Sequence, residues 1–196
     1  MSGNEENEAR GAAATSPAGA DATQPAAGRS PRWLSRMCHY RFRTQWQVAG
    51  TVDEVAAVFL DTASLQRWWP QFVEVEIVEP GEEHGLGRVF DISAKGWAPY
   101  TLYLRFRVTR VRYPAHFVVD VSGDLDGQGS GSLSQSGSRV RIDFRLEVRV
   151  GGRLLQVLSV MLKPVLVVHH YWTMARGERG LRRELALRRA QSEGAV

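Results

Sequence analysis

Over residues 139–150 nearly every second side chain is apolar: Val140, Ile142, Phe144, Leu146 and Val148 alternate with Arg141, Asp143, Arg145, Glu147 and Arg149. Successive side chains of a strand point to opposite faces, so this run describes a strand with one face in a core and the other in water. The same period recurs where Leu102, Leu104, Phe106 and Val108 alternate with Tyr103, Arg105 and Arg107, and where Tyr40, Phe42, Trp46 and Val48 alternate with Arg41, Arg43, Gln45 and Gln47. A sheet assembled from such strands has one apolar face, and that face must be covered. The cover stands at the C-terminal end. After Pro164 the residues Leu166, His170, Met174, Gly177, Leu181 and Leu185 recur at three- and four-residue steps, giving a long helix with one face for the sheet. Pro164 either kinks this helix or sits in its first turn.

Between these landmarks the turn residues divide the chain. Thr51 followed by Glu54 is a capping box, and Val52, Val55, Ala56, Phe59 and Leu60 follow at helical spacing. A second short helical turn is expected over residues 61–70, closed by Trp68, Trp69 and Pro70. Strands are then expected at Phe72–Val78, Arg88–Ala94, Tyr100–Val111, Phe117–Gly123, Gly127–Gln135 and Arg139–Val150, separated by Gly, Pro, Asp and Ser clusters. Connections this short favour hairpins and an antiparallel sheet.

The chain of 196 residues suits one domain with a tail. Residues 1–31 are rich in Ala, Gly and Pro without apolar periodicity and are expected to be disordered, residues 32–190 to form the domain, and residues 191–196 to be a disordered end. A single cysteine, Cys38, rules out an internal disulfide and a cysteine-based zinc site. No secretory pattern or apolar run of spanning length is found, so the expectation is a soluble, cytoplasmic protein with no integral membrane segment. The net charge of +4 comes almost wholly from arginine. Because the arginines are spread through the chain instead of forming a block, they read as the solvated face of the sheet, and nucleic acid is not favoured as a partner.

One strand, two short helices, six strands and a long helix is the order of the helix-grip fold. Several short sequences fall on the expected elements in that order: Trp68-Trp69-Pro70, Gly85-Leu86-Gly87, Gly96-Trp97-Ala98-Pro99-Tyr100, Gly123-Asp124-Leu125-Asp126-Gly127, and the spacing of His170, Met174, Gly177, Gly180 and Leu181. With these the chain, over roughly Tyr40 to Leu187, resembles the START-like SRPBCC superfamily, in particular its polyketide cyclase/dehydrase and lipid transport family. The resemblance implies an α+β class, with a seven-stranded antiparallel sheet wrapped around the C-terminal helix, two short helices after strand 1 and a deep internal cavity. It also implies a small hydrophobic partner such as a lipid, quinone or polyketide-like molecule. Members share no fixed catalytic set, so no catalytic residue is carried over.

On this frame the cavity-lining candidates are Trp69, Trp97, Tyr100, Leu104, Phe106, Phe144, Leu166, His170 and Met174. His170 is also the candidate acid or base, because the helical face turns it inward; the alternative is a buried histidine bonded to a neighbour. His169 points about a third of a turn away. No Asp, Glu or Cys joins either histidine at metal-ligand spacing, and neither metal nor cofactor is expected. Asp124 and Asp126 read as turn residues. Trp46 and Trp172 read as core packing at least as readily as ligand surface. Gly177 and Gly180 each cost a helix about 1 kcal/mol relative to alanine, and close approach of the helix to the sheet would compensate. Three functions follow: binding of an apolar or amphipathic small molecule, cyclase/dehydrase-type chemistry through His170, or an arginine face for an anionic partner.

Overall fold

The computed structural model describes residues 39–95, 101–150 and 163–194. The N-terminal stretch with Trp33, Leu34, Met37 and Cys38, and the loop with Trp97 and Tyr100, lie outside the described residues.

Seven antiparallel strands form one sheet: β1 (His39–Ala49), β2 (Phe72–Glu79), β3 (Val89–Lys95), β4 (Thr101–Arg112), β5 (His116–Gly123), β6 (Leu125–Ser136) and β7 (Arg139–Val150), in the spatial order β1-β7-β6-β5-β4-β3-β2. Every neighbour from β2 to β7 is joined by a short connection. The first strand alone reaches across, pairing with the last, with Trp46 opposite Ile142 and Thr44 opposite Phe144. Between β1 and β2 the chain forms α1 (Val52–Leu60), a 3-10 turn (Thr62–Ser64) and α2 (Leu65–Trp68). The capping box is present in full: Thr51 Oγ1 accepts from the Glu54 amide, and the Glu54 carboxylate accepts from the Thr51 amide at 2.7 Å.

The alternation that defined β7 is realised in its burial, with Val140, Ile142 and Val148 buried and Arg141, Arg145 and Arg149 exposed. The polar face carries several paired charges: Arg105 meets Asp91 at 2.7 Å, Arg107 meets Glu79 at 3.2 Å, and Arg141 meets Asp143 at 3.0 Å. The turn after β5 is tighter than the sequence suggests. β6 begins at Leu125, because the Asp124 carboxylate accepts from the Tyr103 amide at 2.8 Å and fastens the turn to β4.

Among the described residues the C-terminal helix α3 spans Lys163–Glu193, and it ends beyond residue 190. Its inward face is the expected one. Met174, Leu181 and Leu185 are buried with Trp46, Val55, Val58, Trp68 and Ile142 in the main core. Glu184, buried on the same helix, bonds Arg67 of α2 and, at 2.7 Å, Arg188, which in turn holds Asp61 and Ser64. Arg189 reaches Glu54 at 2.7 Å and the Ala49 carbonyl at 2.9 Å. The latter half of α3 is thereby fixed to α1, α2 and the end of β1.

Candidate ligand cavity

The earlier half of α3 meets one edge of the sheet, Leu166 packing against Tyr40, Val148 and Val150 and His170 against Phe42, and stands off from the rest of it. Between helix and sheet lies a cavity of about 430 Å³, within the range of small-molecule sites. The sheet supplies its curved wall: Leu104 and Phe106 from β4, Phe90 and Ile92 from β3, Phe144 and Leu146 from β7. Phe59 of α1, Trp69 and Phe72 close one side, and Leu166, His170, Thr173 and Met174 of α3 form the lid. Of the sequence candidates, Trp69, Leu104, Phe106, Phe144, Leu166, His170 and Met174 are brought together around this space, while Trp97 and Tyr100 lie outside the described residues.

His170 lies stacked on Phe42, with ring centroids 3.8 Å apart, and its Nε2 is 3.5 Å from Thr44 Oγ1. Burial, reinforced by the neighbouring His169, lowers its pKa to about 4, so the imidazole is neutral around pH 7. One ring nitrogen then donates and the other accepts. His169, set aside by its helical phase, also borders the cavity, and burial lowers its pKa as well.

Several polar residues of the wall were not singled out by the sequence, among them Thr44, Gln71 and Thr173. Thr44 shares the inward parity of Phe42 and Trp46, and that parity was the signal for it. Gln71, 4% exposed, follows Pro70 where the chain enters β2, and no periodicity marks it. Thr173 occupies the helix position before Met174. The charged residues at the margin are otherwise engaged or solvated. Arg88 donates to the Leu60 carbonyl at 2.5 Å, to Thr62 Oγ1 at 2.9 Å and to the Pro80 carbonyl at 2.9 Å, Asp124 is held by Tyr103, and Lys95 and Arg145 are exposed. Among the described residues no group of three or more His, Cys, Asp or Glu can hold a metal ion.

A family model described as polyketide cyclase / dehydrase and lipid transport matches residues 39–183, from the start of β1 into the fixed half of α3. The chain belongs to this family. Solved structures of similar fold include TTHA0849 from Thermus thermophilus, at 11% identity and a TM-score of 0.66, with 76% of this chain and 98% of that one covered. The Zhui aromatase/cyclase from Streptomyces sp. R1128 is 15% identical with a TM-score of 0.61, covering 76% of this chain and 95% of that one. A START superfamily protein from Mycobacterium smegmatis is 12% identical with a TM-score of 0.55, covering 71% of this chain and 97% of that one. No curated protein matches the chain. At these identities the likeness shows the helix-grip fold, and any function has to be argued from the residues of the cavity.

Proposed function

We propose that the protein binds an apolar or amphipathic small molecule, of lipid, quinone or polyketide-like ring type, in the cavity between the sheet and α3. The observation that carries this reading is the cavity itself: about 430 Å³ of space lined by aromatic and aliphatic side chains in a chain whose other half-helix is tightly packed. Native interiors are close-packed, and an opening of this size is not what the same residues would leave by default. Removing about 300 Å² of ligand surface from water is worth roughly 7 kcal/mol before the costs of ordering. The family match and the aromatase/cyclase and START relatives are consistent with a ligand in this place.

His170 favours binding over proton transfer. A base titrating at about 4 holds little driving force for abstraction near pH 7, and is not in the imidazolium form that a general acid requires. Its neutral ring suits hydrogen bonding to a ligand carbonyl or hydroxyl. On the arginine face, Arg105, Arg107 and Arg141 are paired to Asp91, Glu79 and Asp143, which supports a solvated outer surface more than an anionic partner.

Native mass spectrometry of protein purified from its own host, followed by organic extraction, tests the proposal. A stoichiometric lipid or ring compound is expected, and Leu104→Trp, which places a larger side chain in the wall, is expected to lose it while remaining folded. A ligand retained undiminished by that variant, or no small molecule bound from the host or from added ring compounds, would sink the reading.

A further inference from the structure

A buried polar atom without a hydrogen-bond partner costs about 1–3 kcal/mol, so native structures hold few of them. In this protein the indole nitrogens of Trp46, Trp68 and Trp69, Gln71 Oε1 and Thr173 Oγ1 are buried with no such partner among the described residues. The residues that carry them are related through Trp69. The Trp69 ring lies 5.3 Å from those of both Trp46 and Trp68, and Gln71 follows two residues later. A Cβ on Gly177 would stand 2.6 Å from Trp69 Cε2, the atom bonded to the indole nitrogen, and Gly177 is one helical turn from Thr173. Trp69, Gln71 and Thr173 border the cavity itself.

The identities of these atoms specify what would satisfy them. The indole N–H only donates, Gln71 Oε1 only accepts, and a threonine hydroxyl does both. A threonine inside a helix ordinarily bonds the carbonyl four residues back, yet Thr173 does not. Among the described residues no cationic side chain is bonded to Gln71 Oε1 or Thr173 Oγ1. Lys95 is tied to Gln71 through its backbone amide, which donates to the Gln71 carbonyl at 2.8 Å, and its side chain is exposed.

Resting on the reading that this cavity holds a ligand, we infer that its corner between α2 and α3 is a recognition pole for a neutral ring compound bearing both a carbonyl and a hydroxyl group. The carbonyl accepts from Trp69 Nε1, the hydroxyl donates to Gln71 Oε1, and Thr173 serves either. Carboxylates and phosphates are disfavoured, because they would leave Gln71 Oε1 facing another acceptor and would be desolvated without a cation.

Calorimetric titration of the full chain near pH 7.5 with four probes of similar apolar body tests this: tetralin, 1-tetralone, 6-hydroxy-1-tetralone and 1-naphthoate. Affinity is expected to rise about 3- to 10-fold with each neutral polar group added, with 1-naphthoate the weakest of the polar probes. In Gln71→Leu the gain from the hydroxyl should vanish while tetralin still binds. Thr173→Val should reduce the preference for 6-hydroxy-1-tetralone over tetralin. Both variants are expected to melt at the same or a higher temperature than the parent, since each removes an unpaired buried polar atom. Equal affinity across the neutral probes, tightest binding of 1-naphthoate, or a large loss of stability in both variants would overturn the pole and leave the cavity proposal standing. Failure of every neutral probe to bind at millimolar concentration would overturn both.

Discussion

At the scale of single residues, His170 carries a stability signature that does not depend on any ligand. Folded, it takes up a proton at about pH 4, against 6.5 for an unperturbed imidazole, because the buried ring stacked on Phe42 disfavours the cation. Between these values the unfolded chain binds more protons than the native one, so stability rises with pH across the window. The contribution is complete above pH 6.5 and is lost as pH falls through the window towards 4. A shift of this size corresponds to about 3 kcal/mol, as an order of magnitude. Urea melts at pH 4.5, 5.5 and 7 should therefore show His170→Phe with a flatter pH profile than the parent. A smaller slope of the same sign remains from His169, whose pKa burial also lowers. An unchanged profile would mean that His170 titrates normally. The inward placement of this histidine was legible from helical spacing alone, but its partner was not. Thr44 stands on the inward parity of β1, and only the register that sets β1 beside β7 beneath α3 brings it within 3.5 Å of the imidazole. Gln71 was less legible still, because a residue between a helix end and a strand has no period to announce its direction.

The elements show the same division between what repeats and what does not. Strands β1, β4 and β7 follow their alternation, α1 follows its capping box, and α3 presents the face that Met174, Leu181 and Leu185 define. Gly177 and Gly180 stood out because glycine is costly in a helix, and close approach to the sheet was the expected reason. The structure supplies closer neighbours. A Cβ at Gly177 would meet Trp69 at 2.6 Å and Trp46 of β1 at 2.9 Å, whereas one at Gly180 would collide with the backbone carbonyl of Trp68. The second contact is with the end of α2, and the packing of one helix on another leaves no mark in either helix's own pattern. The sign of a substitution separates propensity from packing. Alanine for glycine inside a free helix stabilises by about 1 kcal/mol. Gly180→Ala should instead destabilise by roughly 2–4 kcal/mol, since backbone cannot swing aside as a side chain can. Thermal melts decide it, and a raised melting temperature would show that α2 and α3 are not in contact at this point. Gly177→Ala should cost less, because it displaces indole rings instead of backbone.

For the molecule as a whole, α3 divides the fold into an anchored part and a part that borders the cavity. From Gly177 onward the helix buries Leu181, Glu184 and Leu185 and ties itself through Arg188 and Arg189 to Asp61, Ser64, Glu54 and Ala49. Before Met174 its inward residues Leu166, His170 and Thr173 are only partly buried and face the cavity. The half of the helix that makes fewer apolar contacts opens locally at lower cost, since local stability follows the apolar contact made there. Native-state hydrogen exchange should accordingly find the amides of residues 181–189 exchanging only through openings close to global unfolding, and those of residues 165–173 through smaller ones. A ligand that fills the cavity should raise protection in residues 165–173 selectively, because it supplies the contacts that half lacks, while the anchored half changes only as far as global stability does. Glu54, whose bond to Arg189 lowers its pKa to about 2, adds a control. Its folded pKa is depressed, so this tie is present above the ordinary carboxylate range and is lost as pH falls through that range towards 2. Exchange near neutral pH thus reads α3 with its anchor intact. Uniform protection along the whole helix in the free protein, or a ligand effect spread evenly over both halves, would show that α3 moves as one body.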